Sequence, residues 1–194
     1  MTTTINETKE NLLNTVGLNS EAIYPILDSL AATDHKYLKD LRINVSNALQ
    51  YANLTKKESY LLALSVAINE KHKGLSGSFS KLATKEGATE AELNEVAATV
   101  SLMNVNNVFY RFRHFVKKEY YEQTPAGIKM GIMVNPVLGK EFFELLSLTI
   151  SALNGCELCV SSHEESVIKH GATTARVYDA VRLGAIIKGL VPLI

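Results

Sequence analysis

At residues 154–163 the chain reads NGCELCVSSH, a stretch that holds both of its cysteines, Cys156 and Cys159, and a histidine, His163, four residues further on. The opening Asn-Gly pair predicts a turn, and the mixed polar and apolar residues after it predict a helix that ends at Gly171. Both cysteines then lie in the first turns of that helix. Unpaired amide N–H groups and the positive end of the helix dipole stabilise a thiolate there, and the thiolate is the form that attacks peroxides and disulfides.

The residues before this stretch predict a buried helix over 139–150, which packs against the cysteine helix as an antiparallel hairpin. With a rise of 1.5 Å per residue, Glu144 and His163 lie roughly 15 and 12 Å from the bend, so we expect them to come alongside each other. Cys159 precedes His163 by four residues and therefore lies on the same face, one turn away. The sequence predicts a line of orienting carboxylate, base and nucleophile.

Peroxide reduction is the chemistry that suits this line. His163, held and made more basic by Glu144, would take the thiol proton of Cys159, and the thiolate would attack the peroxide and become a sulfenic acid. Cys156 would then condense with it to a disulfide. We expect Cys156 to be exposed at the helix end, where an external dithiol can attack its sulfur and reopen the disulfide.

Zinc binding is the chemical alternative, because Cys156, Cys159, His163 and Glu144 could supply four ligands. Structural zinc sites generally join separate segments through a second pair of ligands. The sequence has no second CxxC and no HxxxH. We therefore expect no bound metal.

Composition favours an ordinary globular protein. The chain has 194 residues, of which 46% are hydrophobic, and 20 basic residues balance 20 acidic ones. A net charge of zero gives no support for binding nucleic acid or an anionic membrane. The basic and aromatic segment at 106–118 predicts an amphipathic helix with a solvated basic face, although docking of an acidic protein partner stays open.

The N-terminal residues and the apolar stretches of the chain indicate the compartment in which we expect the protein. The N-terminus, from Met1 to Glu7, has neither a basic start nor an apolar run, so we expect no signal peptide. No stretch is long and apolar enough to span a bilayer. We expect a cytoplasmic protein, where a CxxC pair is more often catalytic or metal-binding than a structural disulfide.

Apolar residues recur at helical spacing along the whole chain, which predicts an all-α fold of roughly eight to ten helices. Helix starts are predicted at Asn19-Ser20 and at two capping boxes, Thr55 with Glu58 and Thr89 with Glu92. The helix after Thr55 is apolar nearly all round and should be buried. A turn over 71–77 and a helix over 79–86 lie between the two boxes.

An internal repeat is also predicted. A Lys-Glu pair, an apolar helix, a turn, a short helix and Gly-Ala-Thr occur twice, ending at residues 87–89 and 171–173. We interpret residues 1–194 as one domain with a degenerate copy at about 55–115 and a catalytic copy at about 138–194. The first copy lacks the chemistry: the positions of Cys156, Cys159 and His163 are taken by Lys73, Ser76 and Ser80.

At these residues the chain resembles the AhpD alkylhydroperoxidase family, within the carboxymuconolactone decarboxylase-like superfamily. The resemblance covers NNVFYR at 106–111, Asn135-Pro136, Glu144, and the run from 154 through His163 and Glu164 to Gly171. It implies a duplicated all-α fold, a homotrimer and an antioxidant peroxidase for alkyl hydroperoxides. It also implies dihydrolipoyl groups as the reducing co-substrate, with no bound cofactor. Those groups would sit on a lipoylated acyltransferase, kept reduced by dihydrolipoamide dehydrogenase and NADH, and the protein could also reduce the peroxiredoxin AhpC.

By this resemblance Glu144 and His163 form the proton relay, Cys159 is the peroxidatic thiol and Cys156 the resolving thiol. One position departs from the family, since Leu158 stands where the best-known members have a histidine. Leucine cannot shuttle a proton, which leaves open an electron-relay protein that serves a peroxiredoxin and has little peroxidase activity of its own. A decarboxylase of the wider superfamily is a further alternative, but that chemistry does not require a CxxC pair.

Overall fold

A computed structural model of the protein describes residues 7–194, and within that range it contains ten α-helices, two 3₁₀ turns and no strand. The predicted all-α class is confirmed. The prediction of no signal peptide depended on the N-terminus, of which residues 1–6 lie outside the described range. The helices are α1 (Glu7–Thr15), α2 (Pro25–Ala32), α3 (Lys36–Ala48), α4 (Lys56–Asn69), α5 (Lys73–Lys85), α6 (Glu90–Val116), α7 (Glu119–Gln123), α8 (Lys140–Leu153), α9 (Glu157–Lys169) and α10 (Thr174–Leu190).

Both predicted capping boxes begin helices. The hydroxyl of Thr55 accepts the N–H of Glu58, whose carboxylate accepts the N–H of Thr55, and α4 starts at the next residue. Thr89 and Glu92 form the same reciprocal pair before α6. Every residue from 59 to 67 of α4 is buried, as its sequence predicted. These local signals are strong because they satisfy backbone N–H groups that would otherwise lack a partner.

The helix start predicted at Asn19-Ser20 is wrong. The side chain of Asn19 accepts the N–H of Glu21 and closes a local turn instead. The helix begins at Pro25, where a proline costs no hydrogen bond, and the carboxylate of Asp28 accepts the N–H of Tyr24 at 3.0 Å.

The turn predicted over 71–77 is wrong as well, because α5 already begins at Lys73. His72 caps it: its Nδ1 accepts the N–H of Leu75 at 3.0 Å. Histidine is not among the residues that usually mark a helix start, so the sequence did not indicate this one. The helix predicted over 79–86 is the second half of α5. Farther on, the basic segment at 106–118 lies mostly within α6, a single helix of 27 residues.

The two halves of the chain show the same helical order at a constant shift. Helices at 56–69 and 73–85 recur at 140–153 and 157–169, each 84 residues later (140 less 56, 157 less 73). This register aligns Cys156, Cys159 and His163 with His72, Leu75 and Phe79, one residue before the positions predicted from sequence. The division into one domain with two copies stays a prediction.

Helix α8 is the central element, since α4, α6, α9 and α10 all pack against it and its residues 142–151 are buried. Gly184 lets α10 approach closely, because a Cβ atom there would lie 2.6 Å from Cγ2 of Thr149. Within residues 7–194 no helix combines the length and the hydropathy that crossing a membrane requires. The chemistry-bearing residues predicted from sequence lie on α8 and on α9, its antiparallel neighbour.

Candidate active site

The cysteine pair lies where the sequence predicted, at the start of a helix that follows a tight turn. Helix α8 ends at Leu153, and Gly155 adopts the left-handed conformation (φ +68°) that reverses the chain. Cys156 is the cap residue before α9, and it is joined to Cys159 by a disulfide with 5.3 Å between their Cα atoms. That separation is within the range that disulfides normally span. The pair is therefore placed so that it can close a disulfide at the start of α9.

The prediction that Cys156 is exposed is wrong. Cys156 is 0% exposed and Cys159 6%. The reason is local: the N–H of Cys156 donates to the carbonyl of Ser151 at 3.1 Å, which folds the helix start back onto the end of α8. Leu158, between the two cysteines, is 44% exposed. In the single chain, this helix end presents the side chains of Glu157 and Leu158 to solvent, and not a sulfur.

Glu144 and His163 lie side by side, as the hairpin geometry predicted. Nδ1 of His163 is 2.6 Å from Oε2 of Glu144, and the two residues are only 7% and 2% exposed. The carboxylate accepts a hydrogen bond from Nδ1–H, so Nε2 is the ring nitrogen left for the thiol of Cys159, one helical turn away. The arrangement has the geometry of a base held by a carboxylate. The roles assigned to these residues stay predictions.

Sequence reasoning missed Lys140, the first residue of α8. Its Nζ lies 2.8 Å from Oε1 of Glu144 and donates to the carbonyl of Met133 at 2.7 Å. Burial alone would raise the pKa of Glu144, but hydrogen bonds and charges from His163 and Lys140 outweigh it and lower the pKa to about 2. The four-residue spacing from Lys140 to Glu144 was a visible signal, although many such pairs on helix surfaces contribute little.

A pH-dependent stability follows from Glu144. Its pKa is lower in the folded chain than its ordinary 4.5, so its stabilisation is complete above pH 4.5 and is lost as the pH falls to about 2. We expect Glu144→Gln to lower the free energy of unfolding by about 3 kcal/mol at neutral pH, and the difference from wild type to shrink through that window. Urea unfolding across the pH range measures it. Glu165→Gln, at an exposed position of α9, is the control, and an unchanged difference at all pH values would contradict the assignment.

A second group of side chains fixes the turn before Cys156. Asn154 donates to Oδ1 of Asn107 at 2.9 Å, and Asn107 donates to the hydroxyl of Ser151 at 2.9 Å. Arg111 donates to the carbonyl of Asn154 at 2.5 Å. The basic face predicted for this part of α6 is therefore not simply solvated, because Arg111 holds the turn that carries the cysteines. The family resemblance had marked residues 106–111 and the run from 154, but not that they touch, because these contacts join residues more than 40 positions apart.

The zinc alternative finds no support in the geometry. In the described part of the chain, no three or more His, Cys, Asp or Glu side chains are grouped so that they could hold a metal ion. Nδ1 of His163 faces Glu144 rather than the cysteines.

Comparisons with known proteins find similarity over most of the chain and not only at the site. Residues 120–191 match the model of the carboxymuconolactone decarboxylase family. The chain is 35% identical over 157 residues to alkyl hydroperoxide reductase AhpD of Coxiella burnetii, covering 79% of this chain and 88% of that protein. It is 37% identical over 171 residues to the protein of the same name from Maricaulis maris, covering 84% of this chain and 94% of that one.

A solved structure has the same fold. A Burkholderia xenovorans protein assigned as a gamma-carboxymuconolactone decarboxylase subunit superposes with a TM-score of 0.71, covering 100% of this chain and 94% of its own. The two sequences are 15% identical, so this likeness concerns the fold alone. Similarity in sequence is found instead with the two AhpD proteins, which are 35% and 37% identical to this chain.

Proposed function

This chain belongs to the AhpD-type alkyl hydroperoxide reductases of the carboxymuconolactone decarboxylase-like superfamily, and we propose that it reduces organic hydroperoxides through a reversible Cys156–Cys159 disulfide. The observation that carries the proposal is the buried contact of His163 with Glu144, one helical turn from a cysteine pair that can close a disulfide. A base and a redox dithiol are the parts that thiol-based peroxide reduction needs.

In the first half of the reaction, Nε2 of His163 takes the thiol proton of Cys159. The thiolate attacks one oxygen of the hydroperoxide, so that an S–O bond forms as the O–O bond breaks. His163 returns the proton to the departing alkoxide, which leaves as the alcohol. Glu144 remains ionised throughout and holds the imidazole in the tautomer and orientation that both transfers require.

In the second half, the thiol of Cys156 attacks the sulfenic acid of Cys159, and water leaves as the disulfide forms. An external dithiol then reduces the disulfide through a mixed disulfide. Because both cysteines are buried in the single chain, the reductant reaches them only when the α9 start opens locally or when its own group is narrow enough to enter. A small dithiol on a long flexible arm fits that requirement better than a globular thiol protein.

Dihydrolipoyl groups are accordingly the reducing co-substrate we propose, carried by a lipoylated acyltransferase and regenerated by dihydrolipoamide dehydrogenase and NADH. The peroxiredoxin AhpC is the proposed protein partner, in line with the alkyl hydroperoxide reductase names of the relatives. We propose the cytoplasm as the compartment, because a CxxC pair that must return to the dithiol needs reducing surroundings.

A homotrimer is the proposed assembly. Helix α6 leaves a row of apolar side chains exposed, among them Val105, Val108, Phe112 and Phe115. A contiguous exposed apolar face of this kind is typical of a surface that another chain covers. Sedimentation equilibrium on the purified protein measures the assembly directly.

The function is tested by coupling the purified, metal-free protein to dihydrolipoamide, lipoamide dehydrogenase and NADH, with cumene hydroperoxide as substrate. We expect NADH oxidation that requires both the protein and the hydroperoxide. If the cysteines oxidise and reduce normally but no hydroperoxide is consumed, the peroxidase proposal fails.

Leu158 favours one second candidate, an electron relay from dihydrolipoyl groups to AhpC. Leucine cannot donate a proton to a leaving group, and its exposure gives the helix end an apolar contact for a partner. Dithiol–disulfide exchange needs less proton transfer than peroxide cleavage does. Hydroperoxide consumption that appears only after AhpC is added to the same assay would favour this candidate.

A further inference from the structure

Glu144 is held between two nitrogen partners, one on each oxygen. Oε2 faces Nδ1 of His163 at 2.6 Å, and Oε1 faces Nζ of Lys140 at 2.8 Å. Lys140 is one-third exposed and is tied to the connection before α8 by its bond to the carbonyl of Met133. A cation at the first position of a helix opposes the helix dipole. The ion pair with Glu144, and not the helix end, is therefore what favours a lysine here.

The charged groups near the relay come from three helices. His163 from α9 and Lys140 from α8 are the charges that act on Glu144. On α6, His114 lies 3.4 Å from Glu157 at the start of α9, and Arg111 donates to the turn before it. In the reduced protein the two thiols titrate as well. In the part of the chain that the structure describes, Lys140 and His163 are the side chains that pair with Glu144.

We propose that Lys140 is a positioning residue of the relay: it keeps Glu144 ionised, so that the proton shared by Glu144 and His163 resides on the imidazole and is readily passed on. This inference rests on the proposed function, because it concerns how His163 works in it. Lys140 touches neither cysteine in the geometry described and acts through Glu144.

Glu144 needs a partner after His163 has given up its proton. Without Lys140, the neutral imidazole would leave Glu144 as a buried carboxylate with no cation, which is a costly state. The pair would therefore hold its proton more tightly. With Lys140 the carboxylate stays paired whether the imidazole is protonated or neutral. The same imidazole can then take a proton from the thiol and return it to the alkoxide within one pH range. A base that also acts as an acid works best under that condition.

The first half of the chain offers a matched control. Lys56 is the first residue of α4, at the position that Lys140 has in α8, and it pairs with Glu86 at 3.4 Å on the surface. Tyr60 stands where Glu144 stands in the second half. A neutral substitution at Lys56 removes the same charge from the same helix position without touching the relay.

The experiment is an NMR titration of the His163 imidazole in the oxidised protein, in which the cysteines do not titrate. His163→Phe identifies the resonance. We expect Lys140→Met to raise the midpoint of the His163 titration by roughly one pH unit, because removing a nearby cation stabilises the protonated ring. Lys140→Arg should return the midpoint close to wild type, and Lys56→Met should leave it unchanged.

Coinciding midpoints for wild type and Lys140→Met would overturn the proposal, and so would an equal shift in Lys56→Met. Lys140→Gln, which keeps a donor for the carbonyl of Met133, is the second neutral variant if Lys140→Met does not fold, and we expect the same upward shift. The titration needs no peroxide and no turnover. Failure of the peroxidase assay with a shifted midpoint would therefore reject the proposed function while the role of Lys140 stands.

Discussion

Cys159→Ser will reduce hydroperoxide-dependent NADH oxidation to the background rate, whereas Cys156→Ser will still consume about one equivalent of hydroperoxide per chain before it stops. The difference arises because only Cys159 lies one helical turn from the base, on the same face as His163. Serine cannot provide a thiolate, so the O–O bond is not attacked in the first variant. In the second, the sulfenic acid forms but has no neighbouring thiol to resolve it.

Two measurements separate these outcomes. A single-turnover assay without reductant counts the hydroperoxide consumed, and dimedone labelling followed by mass spectrometry detects the sulfenic acid on Cys159 in Cys156→Ser. Both cysteines are buried, and serine is nearly the same size, so far-UV circular dichroism should be unchanged. If Cys159→Ser is the variant that keeps one turnover and carries the label, the roles of the two cysteines are reversed.

The geometry of the relay could be predicted because its ingredients are local. Asn154 and Gly155 mark the turn, the rise of a helix is fixed, and counting residues from the bend brings Glu144 opposite His163. The same holds for the helices that begin after Thr55 and Thr89, since a capping box satisfies its backbone groups with its own side chains. Glu144 and His163 needed only the packing of two neighbouring helices in a hairpin, and no contact between distant segments.

The parts that could not be predicted depend on contacts between distant segments. The burial of Cys156 is the exception, because it comes from a local backbone bond to the carbonyl of Ser151, which residue types do not specify. Asn107 and Arg111 reach the turn only because α6 packs against α8 and α9. The four-residue spacing from Lys140 to Glu144 is visible in the sequence, but burial is what strengthens the ion pair. The same pair on an exposed face would be a weak surface ion pair.

His163→Phe will lower the rate of hydroperoxide reduction at neutral pH by about 10²-fold or more, the usual contribution of a positioned general base. The loss should shrink as the pH rises through about 8.5, the ordinary pKa of a cysteine thiol, because solvent then removes the proton that His163 removes at neutral pH. Wild type should show no comparable rise, since its thiolate is already formed with the help of the imidazole. Single-turnover rates of the reduced proteins, measured against pH, report this difference directly.

The matched control is His170→Phe, at the residue that caps the end of α9. His170 is exposed at the end of α9, and its ring bonds the carbonyl of Ser166 instead of a carboxylate. We expect its pH profile to follow wild type. Phenylalanine fills the buried space of the imidazole, and Glu144 keeps its ion pair with Lys140. A loss of activity caused by misfolding would not depend on ionisation of the thiol, and it would therefore appear at every pH. A His163→Phe profile that runs parallel to wild type at a lower level would therefore point to a structural role for His163 and against its role as the base.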